Sequence, residues 1–358
     1  MFAAPMEQIV RIHASSGTTG KSTVVGYTAR DIEIWSECMA RCLVMAGQDQ
    51  NSRIQVAYGY GMFTGGLGAH YGVERLGATV IPASTGNTKR QIQHMVDFGT
   101  TAICCTPSYG LFIAETIEEM GIDKKDLKLR SGVFGAEPWT TGMRRELEER
   151  LNLRAHDIYG LSEIMGPAVS QDCECQNGLH VWEDYYIPEI INPDTGEVLP
   201  EGEKGEIIFT TISKEGIPLI RYRTRDLSSL TSSKCDCGRT HIRMTKPDGR
   251  SDDMLIIRGV NVFPSQIESV LMDMNLGSPH YQIIVERDGL LDKMTVEVEI
   301  SDGMFLDHVK GIEAMEKHMK KQIEGLLGVA CFVRLVEPKS IARSEGKAKR
   351  VIDRRTYI

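Results

Sequence analysis

Apolar and polar positions alternate with period two at Ile9-Val10-Arg11-Ile12-His13, which predicts a short strand near the start of the chain. From Ser52 to Gly160 strand-like and helix-like stretches take turns. Arg53 to Tyr58 reads as a strand, a glycine-rich apolar helix follows, and Thr79-Val80-Ile81-Pro82 is a strand again. A helix over Thr88 to Phe98 precedes the strand Thr101 to Cys105. A helix over Leu111 to Met120 then leads into the strand Leu129 to Phe134. Thr141 to Leu151 carries the clearest helical signal, with Thr140 or Thr141 as N-cap and glutamates in its exposed turns. Arg154 to Ile158 returns to strand. Repeated β-α units predict a mostly parallel sheet with helices on its faces and ligands at the carboxyl ends of its strands.

After Gly178 the period shortens to small strands punctuated by turns such as Asn192-Pro193-Asp194-Thr195-Gly196 and Pro200-Glu201-Gly202. A β-rich subdomain over about 170–235 is expected there. From Gly249 the pattern is strand (Met254 to Arg258), helix opened by Pro264, strands Tyr281 to Glu286 and Met294 to Ile300, an amphipathic helix Asp307 to Leu327, and strand Cys331 to Val336. Two helices on one antiparallel sheet make a separate α+β domain. The expected organisation is therefore a large α/β domain over 1–248 and a small α+β domain over 249–358.

Length agrees: 358 residues exceed one ordinary core. With 41% apolar and 25% charged residues the composition is that of a globular protein. No apolar run approaches the ~20 residues that cross a bilayer, and no secretory leader is visible. A net charge of −8 argues against a nucleic-acid surface while leaving room for a local anion site. Nine cysteines without a leader read as reduced thiols or metal ligands in a cytoplasmic setting.

Four stretches carry the chemistry. Ser15-Ser16-Gly17-Thr18-Thr19-Gly20-Lys21 offers backbone donors, hydroxyls and one lysine, the equipment for gripping a polyphosphate, without the Walker spacing. Gly135-Ala136-Glu137 and Tyr159-Gly160-Leu161-Ser162-Glu163 end predicted strands. Tyr222-Arg223-Thr224-Arg225-Asp226 sets a carboxylate beside two arginines and an aromatic ring. Each alone is also what an ordinary turn or surface ion pair looks like.

In this order, and followed by Gly249-Arg250-Ser251-Asp252-Asp253, Arg258-Gly259-Val260-Asn261 and Ser344-Glu345-Gly346-Lys347-Ala348-Lys349-Arg350, they resemble the motifs of the acyl-adenylate-forming ligases. The flank Gly26-Tyr27-Thr28 is similar to their phenylacetate–CoA ligase branch. The resemblance implies ATP, Mg²⁺ and coenzyme A. It places Ser15 to Lys21 on the phosphates, and Gly135, Ala136, Glu137, Asp157, Tyr159, Gly160, Ser162, Asp226 and Arg250 around AMP. It further implies Glu163 at Mg²⁺, Asp252 as the hinge about which the small domain turns, Arg258 and Gly259 at coenzyme A, and Lys347 as the adenylation lysine. Tyr60, Phe63, Phe134, Ala136 and Ile164 are candidates for an acid pocket suited to a flat aryl acid. Phenylacetate is favoured over indoleacetate or another aryl acid. The alternatives are adenylylation of a deazaflavin cofactor, and a nucleotide-binding protein without ligase activity.

Two departures from that family stand out. The chain begins only fourteen residues before Ser15, where the family carries a further N-terminal segment. Apolar surface left by its absence would be covered in a homodimer. Ser22 also stands where a proline commonly follows the loop lysine. Apart from the motifs, Cys173-Glu174-Cys175 with His180, and Cys235-Asp236-Cys237 with His241, form two clusters of soft ligands. His180, Cys235, Cys237 and one of Cys173 or Cys175 are expected to close a structural zinc site.

Overall fold

A computed structural model describes residues 2–15, 23–247, 249–250, 255–258, 260–274, 280–288, 291–300, 309–344 and 348–355. The chain divides into two compact units. One comprises Met1–Glu137 and Leu147–Asp248; the other comprises Pro138–Glu146 and Gly249–Ile358.

The first unit is built on a nine-stranded sheet. Its parallel half runs β4 (Thr79–Pro82), β3 (Arg53–Val56), β5 (Ala102–Cys105), β6 (Ser131–Gly135) and β7 (Arg154–Leu161). It then continues antiparallel through β8 (Gly166–Asp172), β9 (Leu179–Val181), β14 (Arg243–Met244) and β13 (Leu230–Thr231). A mostly parallel sheet was expected; the antiparallel half comes from the tight turn 161–166, too short for a crossover helix. Three further strands, β10 (Tyr186–Ile191), β11 (Gly205–Thr211) and β12 (Tyr222–Ser228), form their own antiparallel sheet. Of the stretch 170–235, the ends thus belong to the large sheet and only the middle to a separate one.

Helices α2 (Thr64–Leu76), α3 (Thr88–Phe98) and α4 (Pro107–Glu119) connect the parallel strands as the periodicity predicts, and α5 (Thr141–Leu151) follows β6. A helix the strand-helix reading did not include, α1 (Ala29–Met45), packs on α2 and β8. Its buried Ile34, Trp35, Cys38, Met39 and Cys42 recur at helical spacing. A reciprocal Thr28–Asp31 capping box starts it. The first strand, β1 (Ile9–Ser15), forms as expected but outside the large sheet, paired antiparallel with β2 (Thr23–Thr28). Ser16 to Lys21 fall between these two strands and outside the described residues.

In the second unit β19 (Phe332–Val336), β18 (Leu291–Glu299), β17 (Tyr281–Asp288) and β20 (Val351–Asp353) form one sheet in that order. Only the central β17–β18 pair is antiparallel; both outer strands run parallel to their neighbours. The all-antiparallel sheet expected from the sequence is corrected accordingly. A ribbon of β15 (Leu255–Ile257) and β16 (Val260–Val262) and helices α6 (Pro264–Asp273) and α7 (Val309–Leu327) complete it. Its core joins Ile257, Ile267, Val285, Val296, Met319 and Ile323. No described helix in either unit is long and apolar enough to cross a membrane.

Candidate active site

The end of β7 and the strand β12 meet through side chains. The Tyr159 hydroxyl donates to Asp226 Oδ2 at 2.6 Å, and the Tyr159 ring lies 6.1 Å from that of Phe209, stacked. Asp226 is almost wholly buried, as is Asp157 nearby in β7, whose carboxylate faces Lys246 Nζ at 3.3 Å. Glu206, fully buried on β11, is what holds β12 in place: its carboxylate accepts from Arg223 Nε and from the Arg225 backbone N–H. Arg223 and Arg225, the neighbours with which Asp226 could have made an ordinary surface ion pair, both turn to Glu206.

Beyond Tyr159 the backbone makes a hairpin that only glycine permits at 160. A Cβ there would lie 2.0 Å from the Gly166 carbonyl oxygen. The turn then presents Ser162, whose Oγ sits 3.0 Å from Thr64 Oγ1, and the half-buried Glu163. Two long-range donors pin its carbonyls. Tyr27 Oη donates to Ser162 O at 2.7 Å, and Lys214 Nζ donates to Glu163 O at 2.7 Å. Tyr27 was read only as part of the flank Gly26-Tyr27-Thr28, with no role, and Lys214 was not read at all. Burial pulls the Lys214 ammonium down to about 7, with Asp31 and Glu163 acting to keep it charged.

At the end of β6, Ala136 takes a left-handed backbone conformation with φ 72°. Glu137 Oε1 accepts from the Ser108 N–H at 2.7 Å, at the N-terminus of α4. That carboxylate thus serves the helix end. Among the acid-pocket candidates Tyr60, Phe63 and Ala136 are half-buried. Tyr60 Oη lies 3.2 Å from His70 Nδ1. Phe134 and Ile164 are wholly buried. Phe134 fills the space beside Gly110 and Gly132 and belongs to the packing of α4 on the sheet, a correction to its place in a pocket.

In the second unit Arg258, also left-handed at φ 52°, is exposed and donates from Nε to the Asp292 carbonyl at 2.8 Å. Arg250 is half-buried. Asp252, Gly259 and Lys347 lie outside the described residues, and of Ser15 only the backbone is described.

The soft-ligand clusters do converge. Cys173, His180, Cys235 and Cys237 place four donor atoms within 4.8 Å of one another. Cys173 Sγ and Cys235 Sγ are 3.7 Å apart, and Cys237 Sγ is 3.5 Å from His180 Nε2. A tetrahedral zinc with Zn–S of about 2.3 Å and Zn–N of about 2.0 Å spans edges of about 3.8 and about 3.5 Å. The four residues therefore fit that ion. Burial, with His241, Arg239 and Arg243 close by, lowers His180 to about 4, so its ring is neutral at pH 7, as a ligand must be. Cys175, the alternative fourth ligand, is outside the set and half-buried.

The family model for the AMP-binding enzyme matches residues 3–213, and that for the AMP-binding enzyme C-terminal domain matches 259–355. A phenylacetate–coenzyme A ligase of Escherichia coli (strain K12) is 53% identical over 360 residues, spanning 100% of this chain and 82% of its own. A phenylacetate–coenzyme A ligase of Thermus thermophilus is 47% identical over 99% of this chain and 83% of its own. Among solved structures, a 2-hydroxyisobutyryl-CoA ligase in the postadenylation state, in complex with 2-HIB-AMP, superimposes with a TM-score of 0.91. It is 28% identical and is matched over 98% of this chain and 74% of that one.

Proposed function

The chain belongs to the AMP-binding enzyme family, and on that premise we propose that it is a phenylacetate–CoA ligase. ATP, phenylacetate and coenzyme A give phenylacetyl-CoA, AMP and diphosphate. One observation supports the nucleotide reading more than any other: the Tyr159–Asp226 hydrogen bond joins two motifs 67 residues apart at one place. In this reading Tyr159 offers its ring to adenine and Asp226 its carboxylate to the ribose hydroxyls. The substrate carboxylate attacks the α-phosphorus and diphosphate leaves; the coenzyme A thiol then attacks the acyl carbon and AMP leaves. A carboxylate is a poor electrophile, and adenylation supplies the leaving group it lacks.

Ser162 and the Ser15 to Lys21 loop hold phosphate oxygens, and Glu163 is the carboxylate that would hold Mg²⁺. One acidic side chain beside substrate phosphates is the usual protein share of such a site. When bound, Mg²⁺ neutralises charge on the phosphates. Asp157, Gly135, Ala136 and Gly160 shape the nucleotide wall; Arg250 is assigned to AMP, and Arg258 and Gly259 to coenzyme A.

Tyr60, Phe63 and Ala136 are the acid-pocket residues that keep accessible surface, and an aromatic wall suits an aryl acid. Phenylacetate should accordingly drive coenzyme A-dependent AMP formation about tenfold or more better than acetate, measured as kcat/KM. Equal turnover of acetate would sink the aryl assignment. Adenylylation of a deazaflavin without thioester formation would move it to that reaction.

We further propose one structural zinc per chain at Cys173, His180, Cys235 and Cys237. Elemental analysis of protein purified without added metal should find about one equivalent. Cys235→Ser should lose the zinc and melt lower, while Cys175→Ser should keep it. Less than about one-tenth of an equivalent, with melting unchanged by a chelator, rejects the site. Three cysteines on the proposed zinc and six others without a disulfide support a reducing, cytoplasmic setting. The exposed Met6, Val10 and Ile12 are positions a second copy would cover, a homodimer that sedimentation would detect.

A further inference from the structure

We propose that Lys214 is a positioning residue for adenylate formation, holding the Ser162-Glu163 turn in the conformation that presents both side chains to the nucleotide phosphates. The inference rests on the adenylating reading above. The placement is unusual: a lysine 4% exposed, in the loop between β11 and β12, outside every motif and 51 residues from the turn it meets. Burying an ammonium is costly and needs a return. Here its partner is the Glu163 carbonyl at 2.7 Å, with the ammonium 4.9 Å above the Tyr27 ring. Tyr27 in turn donates to the neighbouring Ser162 carbonyl. Two side chains from β2 and from the 212–218 loop, in contact with each other, thus fix two consecutive peptide groups of the turn.

The anchor is itself held rigid. Asp31, fully buried at the start of α1, accepts from the backbone N–H groups of Glu215 at 2.8 Å and Gly216 at 2.9 Å. It also accepts from Thr28 at 3.0 Å. The chain can come that close because residue 216 has no side chain; a Cβ there would meet the Gly26 carbonyl at 2.3 Å. Lys214 Nζ is therefore placed by backbone that has little freedom, which is what a positioning group requires. The turn it holds carries Ser162 and Glu163, the two side chains assigned to phosphate and Mg²⁺. A displacement of about 1 Å in such groups can cost up to about 10²-fold in rate.

Lys214→Met keeps an unbranched side chain of similar length and removes the donor. Assayed by diphosphate release beside the wild type, it should lose about tenfold in kcat for adenylate formation, and half-maximal activity should need more Mg²⁺. KM for phenylacetate should stay within about twofold, and thioester formation from synthetic phenylacetyl-adenylate and coenzyme A should as well. Lys214→Arg, which restores a charged donor, should recover part of the loss. If Lys214→Met is insoluble, Lys214→Gln, a neutral donor of shorter reach, is read by the same split. Equal decline of both half-reactions makes the lysine merely structural and overturns the proposal; so does adenylation at the wild-type rate. A wild type that releases no diphosphate overturns the ligase reading itself, and this proposal with it.

Discussion

Lys347→Ala lowers adenylate formation by about 10²-fold or more, and leaves thioester formation from synthetic phenylacetyl-adenylate close to the wild-type rate. The expectation comes from where charge moves. While diphosphate departs, negative charge builds on the bridging and non-bridging oxygens, and a lysine held against them is worth most at that moment. Once the adenylate exists that charge has left with the diphosphate, and the second step needs the thiol rather than the lysine. Lys347 belongs to Ser344-Glu345-Gly346-Lys347, just ahead of β20, a strand paired in parallel with β17. Asp252→Pro, which stiffens the proposed hinge, should show the opposite loss, with adenylate accumulating and thioester formation slowed. Two rapid-quench assays with the same protein, one started from ATP and one from the adenylate, separate the cases. Equal slowing of both half-reactions by Lys347→Ala would make the lysine structural.

Gly160→Ala is the second large effect, and it follows from one distance. The added methyl would stand 2.0 Å from the Gly166 carbonyl oxygen, backbone that is paired across the hairpin with Leu161. No rotamer relieves a clash between a Cβ and a backbone atom, so β7 and β8 must part there. Overpacking of this kind costs about 1–3 kcal/mol. The functional loss should be far larger in proportion, because Tyr159 lies on one side of residue 160 and Ser162 and Glu163 on the other. We expect about 10²-fold or more off adenylate formation in protein that still folds below its lowered melting point. The control is Gly311→Ala in α7, where a Cβ would meet nothing within 4 Å. That variant should keep activity and gain slightly in stability, since alanine is the better helix former by about 1 kcal/mol. A Gly160→Ala protein that melts and adenylates like the wild type would show that the hairpin yields easily, and that the Tyr159–Asp226 geometry does not depend on it.

Local periodicity and motif order make much of this protein legible from its residues alone. The β-α alternation from Ser52 to Gly160, the α+β character after Gly249 and the ordered loops are properties of neighbouring residues, and neighbours are what a sequence displays. The helix α1, which the sequence reading did not include, carries its signal in the spacing of Ile34, Cys38 and Cys42 and in its Thr28–Asp31 box. The soft-ligand set was legible to within one residue, because cysteine and histidine seldom gather without a reason. Choosing Cys173 over Cys175 needed the 3.7 Å separation from Cys235, across 62 residues of chain.

What only the tertiary structure decided has one common cause: the partner is a backbone group or a residue distant in sequence. The Glu163 carbonyl that receives Lys214 is the same atom in every residue type, so no pattern of letters announces it. Glu206, not a nearby charge, claims Arg223 and Arg225, and Asp226 meets Tyr159 from 67 residues away. Glu137 reads as a nucleotide-side acid and serves the first turn of α4, while Phe134 reads as a pocket wall and fills the space beside Gly110. In each case sequence named the side chain's chemistry. Chain folding chose what that chemistry would meet, because burial makes every polar group take the partner that packing brings within reach.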